Sequence, residues 1–206
     1  MRIACLASGH GTNLQAIIDA IEGKTLEARI VAVITNVPGT YALERAKKHG
    51  LPAFEVDHRR YDSRKDFEQA VISILDEQGA QLVCLCGFMR ILSPLFIGHF
   101  ACRIMNIHPA LLPAFGGKGF YGEKVHQAVL ESGAKFSGCT VHFVDEQPDH
   151  GPIIMQRVVP VLDDDTPQSL ALRVLQEEHR AYVEAIVLFA AGRLSVSGRR
   201  VAVKPQ

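Results

Sequence analysis

Three short apolar runs, at residues 3–7, 29–35 and 81–86, constrain what this chain can fold into more than any other feature. A strand with one wet face alternates apolar and polar residues, whereas a parallel strand covered on both faces reads as a nearly unbroken run. The first two runs lead through turn residues into helical segments; after the first, Leu14, Ile17, Ile18 and Ile21 recur at helical spacing. Strands alternating with helices predict a doubly wound, mostly parallel α/β sheet of Rossmann-like type. Residues 53–56 and the segment ending at His108 add strands, and 41–49, a charged segment running to about Gln78, and 95–101 add helices. Ser93 and Pro94 read as N-cap and first helical residue of the last of these.

Beyond Phe115 the pattern changes. A glycine-dense loop at 116–122, long enough to close over a site, precedes a helix at 123–131. Residues 136–145 then alternate, with Thr140, His142 and Val144 on one face, which suits a sheet edge or the wall of a site. A strand at 153–161 follows a short loop, predicting a hairpin-like, partly antiparallel addition. Asp165-Thr166-Pro167 opens a long amphipathic helix stopped by Gly192, and 193–206 is expected to form a small peripheral strand or tail. With no repeat and no linker, the expectation is one domain over 1–206, in two halves, 1–108 and 109–206.

Composition narrows the function classes. The 22 basic and 22 acidic residues cancel, so no overall field attracts nucleic acid or an anionic membrane, and an anionic ligand has to be held by local devices. Five cysteines, four of them in apolar strand-like runs, read as buried thiols in a reducing compartment, and no Cys/His spacing suggests zinc. With no signal-like start and no apolar run of membrane length, a cytoplasmic protein is expected.

Two places carry chemistry. In the stretch RIMNIHPALLPAF, from Arg103, Asn106 and His108 interrupt an otherwise apolar strand. Residues two apart on a strand share a face, and Pro109 ends the strand, so an amide and an imidazole stand together at its carboxyl end. That edge of an open α/β sheet is where ligands bind. The plainer alternative is a capped strand end with a satisfied core histidine. The second place is SGHGTNLQ, where Gly9 and Gly11 separate a strand from a helix with Thr12 or Asn13 as N-cap. Free amides and the positive dipole end suit a phosphate there, but glycines are also common in plain strand-to-helix turns. Gly87 and the large residues after it allow the floor of a flat aromatic pocket, or simply a helix-entry turn. Arg64 reads as part of a solvated helix start, and Asp149 as a turn residue in Pro-Asp-His-Gly.

Taken together, SGHGTNLQAI, GFMRILSP, NIHPALLPAF, PDHGP and QEEHR resemble the phosphoribosylglycinamide formyltransferase family over nearly the whole chain, in order and with compatible spacing. The NIHPALLP element is shared by other folate formyl enzymes. The family's tRNA-directed relatives would carry a further carboxyl-terminal domain, and its deformylase relatives an amino-terminal regulatory one, and neither is expected here. The resemblance implies that the amine of glycinamide ribonucleotide attacks the formyl carbon of 10-formyltetrahydrofolate, with Asn106, His108 and Asp149 as the catalytic group. It implies that Gly11, Thr12 and Asn13 hold the ribonucleotide phosphate and that Glu178 contacts the sugar. The folate would meet Arg64 at its glutamate tail, Met89, Arg90, Ile91 and Leu92 in its pocket, Asn106, and the loop from Asp145 to Asp149 at its pterin. Thr140 and His142 would support the site. Small molecules are the implied partners, with no nucleic acid, membrane or metal, and a monomer or a homodimer is equally compatible. His10 and His150 depart from the commonest pattern, as does the length of the 116–122 loop; the two histidines are expected to alter pH dependence rather than abolish activity.

The chemistry this implies is modest. A glycyl amine with a pKa of about 7.7–8.0 is partly neutral at physiological pH, so the nucleophile needs little activation. Asn106 would donate to the tetrahedral oxyanion, and His108, charged and supported by Asp149, would act as general acid. Direct transfer without a covalent enzyme intermediate is expected. A hydrolase using water in place of the amine, and a nucleotide-binding module without turnover, are the rival readings.

Overall fold

The computed structural model describes residues 1–205. Its backbone divides into two compact units, Met1–Met105 and Asn106–Gln206, with the division three residues ahead of where the sequence halves part.

The first unit holds strands β1 (Arg2–Ala7), β2 (Arg29–Thr35), β3 (Ala53–Glu55) and β4 (Leu82–Leu85), and helices α1 (Thr12–Glu22), α2 (Tyr41–Lys48), α3 (Arg64–Glu77) and α4 (Pro94–His99). The strands run side by side as β3-β2-β1-β4, all parallel, with Cys5 opposite both Val33 and Cys84. Every residue of β4 and all but the first of β1 and β2 are buried, as unbroken apolar runs require. From α1, Leu14, Ile17 and Ile18 pack into this core, each burial worth about 1.5–3 kcal/mol. Phe96 and Phe100 are buried as well, with ring centres 5.3 Å apart.

Serine side chains cap two of these helices, and the one at Ser93 is as expected. The Ser93 hydroxyl caps α4 by accepting from Phe96 N–H, with Pro94 at the first helical position, and Ser63 caps α3. The start of α1 differs from the expected Thr12 or Asn13 cap. Gly11 takes the N-cap position in a left-handed conformation (φ 64°), and no side chain caps this end. A turn that sharp needs glycine, and it begins the helix one residue early.

Strand β5 (Ile104–His108) carries the chain from the first unit into the second, which contains α5 (Glu123–Glu131), β6 (Phe136–Phe143), β7 (Ile153–Pro160), α6 (Pro167–Ala190), β8 (Leu194–Ser197) and β9 (Arg200–Val203). β6 and β7 are antiparallel, as expected, and β9 pairs with β7 and with β8. The final segment is thus a two-stranded hairpin rather than one strand or a tail. All of β6 after Phe136 is buried, which makes it a wall and not an edge. Leu170, Val174, Ala181, Tyr182, Ala185 and Ile186 form the buried stripe of α6, and Phe189 meets Phe143 of β6 at 6.3 Å. The architecture is α/β with a mostly parallel sheet, an antiparallel addition and a long closing helix.

Four cysteines are buried, and Cys102, in the turn between α4 and β5, is exposed. Among the described residues, no helix is long and apolar enough to cross a membrane.

At the start of α6, Thr166 accepts from the Ser169 N–H while the Ser169 hydroxyl accepts from the Thr166 N–H. Thr166→Ala removes one arm of this capping box. It is expected to lower unfolding free energy by about 1 kcal/mol in urea titrations, with an unchanged denaturant slope.

Candidate active site

In the second unit, the end of β5 meets the loop between β6 and β7. Asn106 Nδ2 lies 3.2 Å from His142 Nε2, and His142 Nδ1 lies 2.8 Å from the Phe143 carbonyl. A carbonyl only accepts, so the imidazole proton sits on Nδ1 and Nε2 accepts from the Asn106 amide. That contact uses one amide hydrogen of Asn106 and leaves the other for a ligand. Asp149 reaches both histidines, with Oδ1 3.8 Å from His142 Nε2 and Oδ2 3.5 Å from His108 Nδ1. The other nitrogen of His108 is 2.8 Å from the Phe115 carbonyl. Asn106, His142, Asp149 and His108 therefore form one connected polar group, and of its histidines His108 is 4% exposed and His142 2%.

Asp149 is held by its backbone. It adopts a left-handed conformation (φ 56°), and its Oδ2 accepts from the Gly117 N–H at 2.9 Å. Two glycines make room for it. A side chain on Gly116 would lie 3.2 Å from Asp149 Cβ and 2.4 Å from Leu112 Cδ2; one on Gly151 would lie 1.8 Å from the Phe143 carbonyl oxygen. Below the group, Thr140 Oγ1 donates to Ala110 O (2.7 Å) and accepts from Leu112 N–H (3.0 Å). Gln156 Nε2 donates to both Leu112 O and Thr140 Oγ1 at 3.0 Å. Thr140 thus fixes the chain leaving β5 and stands behind the polar group rather than in it.

Asp145 is engaged elsewhere, with Oδ2 2.9 Å from His150 Nδ1 and Oδ1 accepting from Gln147 N–H. His150 also meets Arg199 in the turn between β8 and β9. Glu178 is buried on α6 close to Cys139, whose thiol is pushed up to about 12 by burial first and then by that carboxylate.

The remaining candidates belong to the first unit. Gly11, Thr12 and Asn13 form the uncapped start of α1, at the carboxyl end of β1. Arg64 donates through Nε to Glu68 (3.1 Å) and through a terminal nitrogen to the Ile91 carbonyl, while buried Glu68 also accepts from the Ser93 N–H at 2.9 Å. Arg64 therefore braces the 87–93 segment in addition to presenting charge. Along that segment Met89 and Ile91 are exposed, Arg90 lies over the Phe67 ring, and Leu92 is buried in the core.

Two residues were not legible in the sequence as site residues. Ser8 accepts from Met89 N–H at 2.8 Å and donates to Asn36 Oδ1 at 2.6 Å, tying the end of β1 to the 87–93 segment. His126 on α5 is buried near His108, with no hydrogen-bond partner at Nδ1. Its position beside Val125 is the only sequence sign of burial, and a helix pattern does not reveal its neighbour. Among the described residues, no group of three or more His, Cys, Asp or Glu is placed to hold a metal ion.

An amide, two imidazoles and a carboxylate thus stand together at the carboxyl end of a strand in an α/β sheet. The formyl transferase family matches residues 1–186, and the chain belongs to it. It is 40% identical over 196 residues to the phosphoribosylglycinamide formyltransferase of Escherichia coli, covering 95% of this chain and 90% of that one. It is 44% identical over 196 residues to the trifunctional purine biosynthetic protein adenosine-3 of Gallus gallus, of whose length it spans 19%. The crystal structure of glycinamide ribonucleotide transformylase 1 from Symbiobacterium toebii superposes with a TM-score of 0.95 at 46% identity, covering all of this chain and 94% of that one.

Burial pushes both His142 and His126 below the ordinary 6.5; for His142 it outweighs the nearby Asp149 carboxylate, and for His126 the neighbouring His108 adds to it. Below about 6.5 the unfolded chain then binds more protons than the folded one, so stability is full above that pH and is lost as pH falls toward the lowered folded values. Urea unfolding should show a lower midpoint at about pH 5.5 than at about pH 7.5, and His126→Leu should reduce that difference. An unchanged difference would mean His126 takes no part.

Proposed function

We propose that the chain transfers the formyl group of 10-formyltetrahydrofolate to the amine of glycinamide ribonucleotide, a step of purine synthesis. The observation that carries this reading is the connected group of Asn106, His142, Asp149 and His108 at the end of β5. The 40% identity to the Escherichia coli enzyme, over 90% of its length, supports the substrate assignment.

In the proposed reaction the neutral amine attacks the formyl carbon, and negative charge gathers on the formyl oxygen. The Asn106 amide hydrogen not used by His142 donates to that oxygen; Asn106 neither titrates nor needs to reorganise, since His142 already fixes it. His142, kept neutral by burial, accepts from Asn106 and holds the amide in that orientation. A new carbon–nitrogen bond forms, the bond from the formyl carbon to the folate nitrogen breaks, and in net balance the amine loses one proton and the departing nitrogen gains one. His108 gives its own proton to that nitrogen and takes up the amine proton in exchange. Its Nδ1 lies 3.5 Å from Asp149 Oδ2 and its Nε2 2.8 Å from the Phe115 carbonyl oxygen, which orient the ring. The start of α1, Gly11 to Asn13, is assigned to the ribonucleotide phosphate and Glu178 to its sugar. Arg64, Met89 to Leu92, Asn106, Asp145 and Asp149 are assigned to the folate. The reading requires no covalent enzyme intermediate, and its site is cytoplasmic.

The test follows folate turnover spectrophotometrically, with and without glycinamide ribonucleotide. Turnover should depend on the ribonucleotide. Asn106→Ala should lower kcat by about 10²–10³, equivalent to about 2.7–4 kcal/mol, and His108→Ala should reduce it at least as far. Formate release without the ribonucleotide would replace the transferase reading with a hydrolase. Binding of both ligands without turnover would overturn the catalytic reading.

A further inference from the structure

The turn between β1 and α1 is shaped from outside, by α2. Ala42 N–H donates to the Gly9 carbonyl at 3.1 Å, and Arg45 Nε donates to the His10 carbonyl at 2.9 Å. In a trans peptide the carbonyl and the following N–H point in opposite directions. Drawing the carbonyls of Gly9 and His10 toward α2 therefore turns the N–H groups of His10 and Gly11 away from it. The fit is close, since a side chain on Gly11 would stand 3.0 Å from Ala42 Cβ.

Arg45 is itself fixed at a second point. Its Nη1 donates to Gln15 Oε1 at 2.7 Å, and its guanidinium lies 4.6 Å from the centre of the Tyr41 ring. The Gln15 amide is not free to turn over. Its nitrogen donates to Asp19 Oδ1 (2.8 Å) and contacts His49 Nε2 (3.2 Å), so its oxygen must face the arginine. His49 in turn is anchored by Nδ1 to Glu22 at 2.7 Å. The guanidinium thus joins the turn, α1 and α2 through two of its nitrogens at once, in the planar fork that an ammonium cannot copy.

We infer that Arg45 is a positioning residue for phosphate: it holds the His10 peptide so that the amides of the turn face an anion, without contacting the anion itself. This rests on the proposed assignment of the Gly11 turn to the ribonucleotide phosphate. It makes Arg45, outside the resemblance motifs, a determinant of the enzyme's preference for a phosphorylated over an unphosphorylated amine.

The experiment compares glycinamide ribonucleotide with its dephosphorylated ribonucleoside as acceptors, for wild type, Arg45→Lys and Gln15→Leu, with circular dichroism to confirm that each variant is folded. Wild type should prefer the phosphorylated acceptor in kcat/KM. Arg45→Lys should raise KM for the ribonucleotide at least tenfold, change kcat less than about threefold, and leave the values for the ribonucleoside and for the folate close to wild type. Gln15→Leu, which frees the second arm of the fork, should do the same to a smaller extent. Ribose 5-phosphate should inhibit wild type competitively and the Arg45→Lys enzyme more weakly. If wild type shows no preference between the acceptors, the assignment of the turn to phosphate fails, and the role of Arg45 falls with it. If wild type discriminates and Arg45→Lys discriminates equally, the phosphate assignment stands and Arg45 has no such role. A kcat loss of equal size for both acceptors would make it a general structural residue and overturn the inference.

Discussion

The Asp149 carboxylate is the contact on which the second unit's polar group depends. It stands between two imidazoles, accepts from the Gly117 amide, and is delivered by a left-handed backbone. Such a conformation costs a residue other than glycine on the order of 1–3 kcal/mol, so it persists only where its surroundings enforce it. They do so here through Gly116 and Gly151, which admit no side chain, and through the backbone of β6 running against the loop. Without that carboxylate, His108 and His142 would be two buried rings with no charge between them, and only the Phe143 carbonyl would hold the ring that aims Asn106.

The first unit solves a different problem with the same economy of parts. The carboxyl ends of parallel strands leave loops that have to be kept in register without further pairing. Ser8 does this between β1 and the 87–93 segment, and Glu68 with Arg64 does it between α3 and that same segment. A short hydroxyl and a buried carboxylate each satisfy several backbone or side-chain groups, which costs less than leaving buried amides unpaired.

What could be read in the sequence, and what could not, divides along the range of the interactions. The parallel strands, the Ser93–Pro94 helix start, the helix at Glu123–Glu131 and the antiparallel β6–β7 pair all follow from local periodicity and capping. So does the side-by-side placement of Asn106 and His108. The approach of Asp149 to His108 does not, because nothing in Pro-Asp-His-Gly distinguishes an ordinary turn from a loop folded onto a distant strand; only the family resemblance suggested it. The start of α1 departs from expectation because Thr12 and Asn13 are good caps in isolation, and Gly11 pre-empts them by turning the chain first. Arg64 looked like a solvated charge because its acceptor, the Ile91 carbonyl, lies on a separate loop. Arg45, Ser8 and His126 carry no local signal for the same reason: each draws its contacts from neighbours far along the chain.

The cysteines described with the fold have a practical side. Four are enclosed; a hydrogen bond with Cys5 and then burial push the Cys86 thiol upward, and burial does the same to Cys139, which keeps both from forming the reactive thiolate. Cys102 alone among them faces solvent, in the turn that leads into β5. A maleimide dye or a nitroxide spin label would thus find one address on the native chain, just ahead of the strand that carries Asn106 and His108. The molecule arrives already equipped with a spectroscopic handle in the turn that leads into β5, and no cysteine has to be engineered to use it.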